Sequence, residues 1–426
     1  MAKPRLLLIN KFYHDVGPAG GVGRYLVQEE EDLRSAGWDV IPFAMADEHA
    51  RPSPWDRFFV KAHDYSRPRF GSGAIGSALS LVWNREAARN LDALIREARP
   101  DVAHLHNIYH HLSPSILPVL ERHGIPVVMT LHDLRLLCPA IHMLRLDGVC
   151  ERCKGGQLHH AVLGKCVKGS RAASLLAAVE TFHQRSRGLY PNTVRRFLCP
   201  SDFYRRKFAE WGYPEHRLRH FANFVDLDFW HPDKLDRRGT GDSILYFGRI
   251  SREKGLRTLL DAQHLWETEH AAGRIAVPPL PLRIAGTGPC EGNLRAHIAL
   301  LGLKSVEVLG ALDIGGLRRA LSRARFSVLT SQWYENGPMA ALESLASGVP
   351  LAGTDIGGIP EMIEDGRTGV IMPAGDAEGI MRGLLRAADL PADAGKQARR
   401  WAEKNASRRD HMARLEALLT TTREGR

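Results

Sequence analysis

The stretch FSVLTSQWYENGPMAALESLASGVP, residues 326–350, constrains this chain more than any other. Its first residues are apolar and β-prone and read as a buried strand. A polar turn with two aromatics follows, closing on Glu335, Asn336, Gly337 and Pro338. Proline suits the first position of a helix, because the amide it lacks would be unpaired there anyway. Asn336 or Gly337 then serves as the cap. Residues 339–347 are rich in Ala and Leu, and Gly348 ends them. Strand, loop and helix in this order belong to an open parallel sheet, whose ligands bind at the carboxyl ends of its strands. Glu335 therefore sits in a ligand-side loop, and Glu343 lies about two turns into the helix. The helix start offers the amides of Met339 and Ala340 and a positive dipole end to an anion such as a diphosphate.

The same alternation runs along the chain. Residues 5–9 read as a strand. A Gly-rich loop (GPAGGVG, 17–23), a helix over 24–36 and a strand at 39–43 follow. Residues 44–76 are polar with Pro, Gly and aromatics, and read as a long loop, a lid or a membrane-facing excursion. Strands at 101–106 and 126–130 end in His106 and in His132-Asp133. A lone His is usually a core or surface residue. The strand-end position favours His132, with His106 second and His104 read as packing. Strands at 193–199 and 218–222 complete a first set. The polar linker KLDRRGTGD (234–242) precedes a fresh α/β pattern, with strands at 244–247, 282–285, 306–309, 326–330, 351–355 and 369–372. The loop GRISREKG (248–255) places Arg249 and Lys254 at a strand's carboxyl end, where a planar fork and a point charge suit a diphosphate. A chain of 426 residues is long enough for two cores.

The spacing of Glu335 and Glu343, with GVP (348–350), DIGGIPE (355–361) and GRTG (366–369), resembles the paired-glutamate signature of retaining glycosyltransferases of the GT-B fold, glycosyltransferase family 4 of group 1 type. The resemblance is strong over residues 223–369 and weaker before them. It implies an α/β architecture of two Rossmann-like doubly wound domains facing a cleft. The N-terminal acceptor domain spans 1–233 with a Cys-rich insert at about 138–166. The nucleotide-sugar domain spans 243–390, and a terminal helix at 391–426 packs back on the first domain. The resemblance also implies roles. Glu343 binds ribose hydroxyls, Glu335 the donor sugar, Arg249 and Lys254 the departing diphosphate, and His132 the sugar or its phosphate. Gly21 matches the family's glycine pair. Asn223 opens NFVD (223–226), an Asn-Gly-Val-Asp hinge with Phe224 in place of Gly, and Gly286 belongs to a nucleotide-facing turn. The usual Glu-Gly-x-Gly loop is here Glu335, Asn336, Gly337, Pro338, which removes one phosphate-binding amide and leaves the donor sugar open. The implied reaction moves a sugar from a UDP- or GDP-sugar to a glycan or lipid-linked acceptor in polysaccharide or glycoconjugate biosynthesis. The Asp-x-Asp at Asp226 and Asp228 falls in the hinge, so no catalytic divalent ion is expected.

Cys138, Cys150, Cys153 and Cys166 cluster, whereas Cys199 and Cys290 stand alone. The C-x-x-C spacing lets two thiolates reach one tetrahedral zinc, and the other two complete a structural site. Reduced thiols or a redox pair are the alternatives, and His142, His159 or His160 are possible substitute ligands. No window approaches the roughly 18 apolar residues that cross a bilayer. The apolar start is too short for a signal peptide, which implies a cytoplasmic protein. A net charge of +10 reads as a solvated basic surface or as attraction to an anionic membrane on its inner face. Two candidates for such contact are the basic residues Arg185, Arg187, Arg195, Arg196, Arg205, Arg206 and Lys207, and the aromatic-basic segment 55–70. No nucleic-acid-binding signature is present. A non-hydrolysing nucleotide-sugar epimerase and a non-catalytic polyanion-binding module are the competing readings. Neither requires the paired glutamates together with Arg249 and Lys254.

Overall fold

The computed structural model describes residues 3–14, 20–62, 80–145, 148–235 and 241–425. Short apolar runs become strands here because helices cover both sheet faces. β1 (Arg5–Ile9), β2 (Asp39–Phe43), β3 (Val102–Leu105), β4 (Val127–Thr130), β5 (Val194–Cys199) and β6 (Leu218–His220) form a six-stranded parallel sheet in the order β6-β5-β4-β3-β1-β2. β7 (Ser243–Phe247), β8 (Leu282–Ala285), β9 (Val306–Gly310), β10 (Ala324–Leu329), β11 (Leu351–Thr354) and β12 (Gly369–Met372) form a second, in the order β9-β8-β7-β10-β11-β12. Both are doubly wound α/β sheets of the GT-B kind. Strand order reverses between β1 and β3 in the first sheet and between β7 and β10 in the second. Ligands bind outside the carboxyl ends of strands at such switch points. The loops that follow β7 and β10 carry Lys254 and Glu335.

Several local expectations shift. The first helix, Gly20–Ser35, begins inside the Gly-rich stretch rather than after it. Residues 17–19 of that stretch lie outside the described residues. Pro338 is itself the cap of helix Met339–Ala346, one position earlier than its fixed φ suggested. Residues 44–62 of the long loop hold regular structure. Met45–Ala46 pairs with Val60–Lys61, Trp55 and Phe58 pack on the first core, and Phe59 is buried with its ring edge-on to Tyr13. Those rings are therefore not free to anchor in a membrane; Tyr65, Arg67, Arg69 and Phe70 lie outside the described residues. The basic cluster is also dispersed. Arg185 donates to the Leu136 and Leu137 carbonyls, while Arg205 and Lys207 pair with Asp202, Glu215, Glu151 and Glu210.

The C-terminal segment is two helices, not one. Ala394–Asn405 buries Ala394, Ala398 and Ala402 in the second domain's core. Ser407 caps Arg408–Arg423 by accepting from the Asp410 amide, and Met412, Leu415 and Leu419 pack on Leu6, Leu8 and Tyr25 of the first. The crossing at Ser407 bridges Val225 in the hinge, so both crossovers lie side by side. Residues 236–240 of the linker lie outside the described residues.

Candidate active site

The donor loop is built around one carboxylate. Glu335 Oε1 accepts from Lys254 Nζ at 2.6 Å, from Ser331 Oγ at 2.6 Å and from Trp333 Nε1 at 2.8 Å. Burial pushes the Glu335 carboxyl up, but the Lys254 charge and these hydrogen bonds outweigh it and hold it below its ordinary value. Lys254 reaches it because the turn Arg252–Lys254 is pressed against the end of β10. The GGIP stretch supports the loop from the other side. Gly357 has φ +64°, and a Cβ there would lie 2.4 Å from the Glu335 amide nitrogen, so only glycine fits. Gly358 donates its amide to the Glu335 carbonyl at 2.7 Å. Gly286 meets the Gly248 carbonyl, with room for no side chain. Arg249 is exposed, its carbonyl held by the Tyr246 hydroxyl at 2.7 Å, and its guanidinium has no ion-pair partner among the described residues.

Glu343 projects from the helix Met339–Ala346 and is buried. Burial pushes its carboxyl up to about 7, and Arg24 Nη1, 2.9 Å away, partly offsets the rise. Arg24 comes from the first domain's Gly-rich helix, so this ion pair spans the cleft. Beside it, Gly21 faces the helix start, where a Cβ would lie 3.1 Å from Met339 Cγ. The amides of Met339 and Ala340 are at a helix start, where backbone donors lack intrahelical partners.

Other bonds also tie the two halves. Asn223 Nδ2 donates to the Gly337 carbonyl at 2.8 Å, and Asn336 Nδ2 donates to the Leu131 carbonyl at 2.8 Å. Asn336 therefore fastens the loop to the residue before His132, and its amide is committed in this arrangement. Glu361 accepts from the Asp202 and Phe203 amides at the start of helix Asp202–Glu210.

His132 rests on a buried polar stack that sequence reasoning did not assemble. His132 Nε2 lies 2.8 Å from His106 Nδ1, and His106 Nε2 faces Glu29 Oε2 at 3.4 Å. His104 bonds Glu29 Oε1 at 2.6 Å through Nδ1 and Thr130 Oγ1 at 2.8 Å through Nε2, so it is more than packing. Burial, reinforced by His104, lowers His106 to about 4; burial and the neighbouring imidazoles carry His132 well below its ordinary value. Burial alone would raise Glu29, but His104 and His106 reverse that and keep it ionised. A carboxylate only accepts, so Glu29 beside Nε2 favours the His106 tautomer protonated there, although the two atoms are not aligned as a hydrogen bond, and Nδ1 then accepts from His132 Nε2–H, an assignment made from the network. His132 is then neutral with Nδ1 as an acceptor. The ligand atoms of Glu29, His104 and His106 lie within 4.8 Å of one another, a spacing that would suit a metal. Both His104 nitrogens are already committed, so the group reads as support for His132.

The cysteine insert touches the same loop. Glu151, between Cys150 and Cys153, accepts from the Tyr334 hydroxyl at 2.7 Å and from Lys207 at 2.8 Å. His142 meets Trp333 edge to face at 4.9 Å. Arg252 donates to the Arg145 carbonyl at 2.9 Å. Cys138, Cys150, Cys153 and Cys166 line one small cavity of about 20 Å³ with free thiols. Arg24, Glu29 and Glu151 carry no motif. Only the fold brings them to the site.

Residues 19–229 match the family described as Glycosyltransferase Family 4, and residues 231–408 match Glycosyl transferases group 1. A glycogen synthase of Mycobacterium tuberculosis is 26% identical over 415 residues, covering 93% of this chain and 88% of its own. Among solved structures, a sucrose-phosphate synthase from Thermosynechococcus elongatus superposes with a TM-score of 0.70 at 16% identity over 100% of both chains. An Anabaena HepE in complex with UDP-glucose superposes with a TM-score of 0.65 at 16% identity, covering 98% of this chain and 99% of its own.

Proposed function

Because the chain belongs to glycosyltransferase family 4, the group 1 enzymes of the GT-B fold, we propose that it moves a sugar from a nucleotide-diphosphate sugar to a glycan or lipid-linked acceptor with retention at the anomeric carbon. The observation that carries this is the charge arrangement at the switch point of the second sheet. Lys254 is bound to a buried, ionised Glu335, and a second buried carboxylate, Glu343, stands on the next helix. Glu343 accepts the ribose hydroxyls in place of Arg24. Arg249, Lys254 and the amides of Met339 and Ala340 stabilise the diphosphate as charge builds on it, which is the largest catalytic term in sites of this kind. Glu335 already accepts three hydrogen bonds at one oxygen, so it is a poor nucleophile. Its role is to hold Lys254 and the donor sugar. His132, neutral, accepts from a sugar hydroxyl through Nδ1. As the anomeric C–O bond to phosphate breaks, the departing diphosphate takes the acceptor's proton and the new bond forms on the same face.

A thermal-shift panel of UDP, GDP, ADP and their sugars, beside Glu343→Ala, tests the reading. One nucleotide series should raise Tm by on the order of 3 °C at saturating ligand and lose that effect in the variant. The HepE complex makes UDP-glucose the first donor to try. No shift with any nucleotide, in folded protein, would sink the donor site.

Catalysis on this reading needs no divalent ion. The insert's four sulfurs are proposed to hold a structural zinc, for which soft thiolates around a cavity of about 20 Å³ are a fitting donor set. The sulfurs are looser than the Glu29 group, so changes of Cys rotamer must draw them to about 2.3 Å from the ion. Metal analysis of purified protein should find about one zinc per chain, lost in Cys150→Ser/Cys153→Ser. Folded, active protein free of zinc would remove the site.

A further inference from the structure

Leu163, Leu175, Val179 and Phe182 are 68%, 54%, 46% and 64% exposed, four of the eight exposed large hydrophobic side chains among the described residues. They are not scattered. Leu175, Val179 and Phe182 form one stripe of helix Arg171–Ser186, at the spacing that shares a helix face. Leu163 ends the short helix His159–Leu163, which packs against it. Together with Leu158 and Val162 they line a shallow depression of about 500 Å³. The opposite stripe of the long helix buries Ala177, Thr181 and Gln184, so the exposed stripe is not needed to hold the helix in place.

The exposed charged side chains of residues 158–187 are basic, and Lys165, Arg171 and Arg187 are among them. The acids in residues 151–187 are Glu151 and Glu180. Glu180 is buried against Arg135, and Glu151 is occupied by Tyr334 and Lys207. Glu210, on the neighbouring helix, pairs with Lys154 and Lys207. An apolar stripe with Lys165, Arg171 and Arg187 exposed beside it is the complement of a bilayer surface bearing anionic lipid.

We propose that this face docks on an anionic bilayer, with Leu163, Leu175, Val179 and Phe182 entering the headgroup region and the surrounding Lys and Arg side chains on the phosphates. The insert that carries Leu163 also carries Glu151, which holds Tyr334 of the donor loop. Docking there holds the insert that supports the donor loop at the lipid surface, where a lipid-linked acceptor is presented. That last consequence rests on the proposed function, whereas the docking does not.

The test is co-sedimentation of the full chain with vesicles of phosphatidylcholine alone and of phosphatidylcholine mixed with phosphatidylglycerol, at low and high salt. The chain should pellet with the anionic vesicles and be released by salt. Leu163→Ser/Phe182→Ser should weaken binding about tenfold or more by removing buried apolar area. Lys165→Glu/Arg171→Glu/Arg187→Glu should abolish the preference for anionic lipid. All these positions are exposed, so wild-type Tm is the fold control, and sedimentation is read without any transfer assay. Equal pelleting with both vesicles, no pelleting, or variants that bind like wild type would overturn the proposal. So would a dimer in light scattering that Phe182→Ser dissociates, since the face would then belong to a second copy.

Discussion

Lys254→Ala is expected to lower kcat by on the order of 10²-fold or more, because it removes a fixed cation from the departing diphosphate. The same change should destabilise the free enzyme by about 3–5 kcal/mol, the usual cost of stripping the partner from a buried ion pair. The Lys254 side chain is 19% exposed and that of Glu335 6%. The two effects separate by pH and by a second substitution. In the wild type the Glu335 carboxyl is held below its unfolded value. Its contribution to stability is therefore present above about 4.5 and lost as pH falls through the folded value. Without Lys254, burial dominates and the shift reverses, so the contribution is present in acid and lost as pH rises. Lys254→Ala should thus show its largest deficit in Tm near neutral pH. Lys254→Ala/Glu335→Gln removes the stranded charge and should recover most of the stability while turnover stays low. Recovery of turnover in the double variant would mean that Lys254 serves only to neutralise Glu335 and has no part in transfer.

How far the chain could be read in advance divides along physical lines. The two sheets were legible because each strand is a short apolar run bounded by turn residues, and a parallel sheet covered on both faces leaves that mark in local sequence. The loops at the strand ends were legible for the same reason: Lys254 follows β7 and Glu335 follows β10, with Glu343 on the next helix. Contacts between distant segments leave no such mark. Nothing in the spacing of Arg24 and Glu343 says that they meet at 2.9 Å across a cleft, and nothing near Glu29 marks it as support for His132. Glu29 sits in the acidic run Glu29, Glu30, Glu31, Asp32 and reads there as a solvated helix face. It is buried where His104 on β3 and His106 just past its end share it as an acceptor and counter-charge. The terminal helices were misread as one because their apolar positions keep nearly the same phase across Ala406. Ser407, a capping residue inside the pattern, was the available signal. The aromatic segment at 55–59 shows the opposite failure, since rings beside basic residues suggest a membrane from sequence yet pack inward once β2 and helix Arg85–Ala98 are in place.

Glu343 should make donor binding depend on pH near neutrality. Its carboxyl is pushed up to about 7 by burial, with Arg24 only partly compensating from a side chain that is 52% exposed. Ribose hydroxyls donate to a carboxylate, so the ionised form is the one that binds. With a folded value near 7, roughly one enzyme in ten is competent at pH 6 and nine in ten at pH 8, which makes the apparent Kd of a nucleotide sugar about tenfold weaker at the lower pH. A nucleotide sugar is the proper probe, because its diphosphate loses no proton in this range. Glu343→Gln should bind more weakly at pH 8 and show no slope between these values. Stability should move the other way. A carboxyl raised above its unfolded value contributes stability that is present below about 4.5 and lost as pH climbs through 7. At pH 8 the wild type therefore carries a buried charge that glutamine does not, and Glu343→Gln should raise stability there by on the order of 3 kcal/mol while changing little at pH 5. A variant that binds donor as wild type does, with the slope intact, would place the ribose elsewhere. A variant that loses binding without gaining stability at pH 8 would mean that Arg24 satisfies Glu343 fully in the free enzyme, and that the cleft opens and closes on that ion pair rather than on the proton.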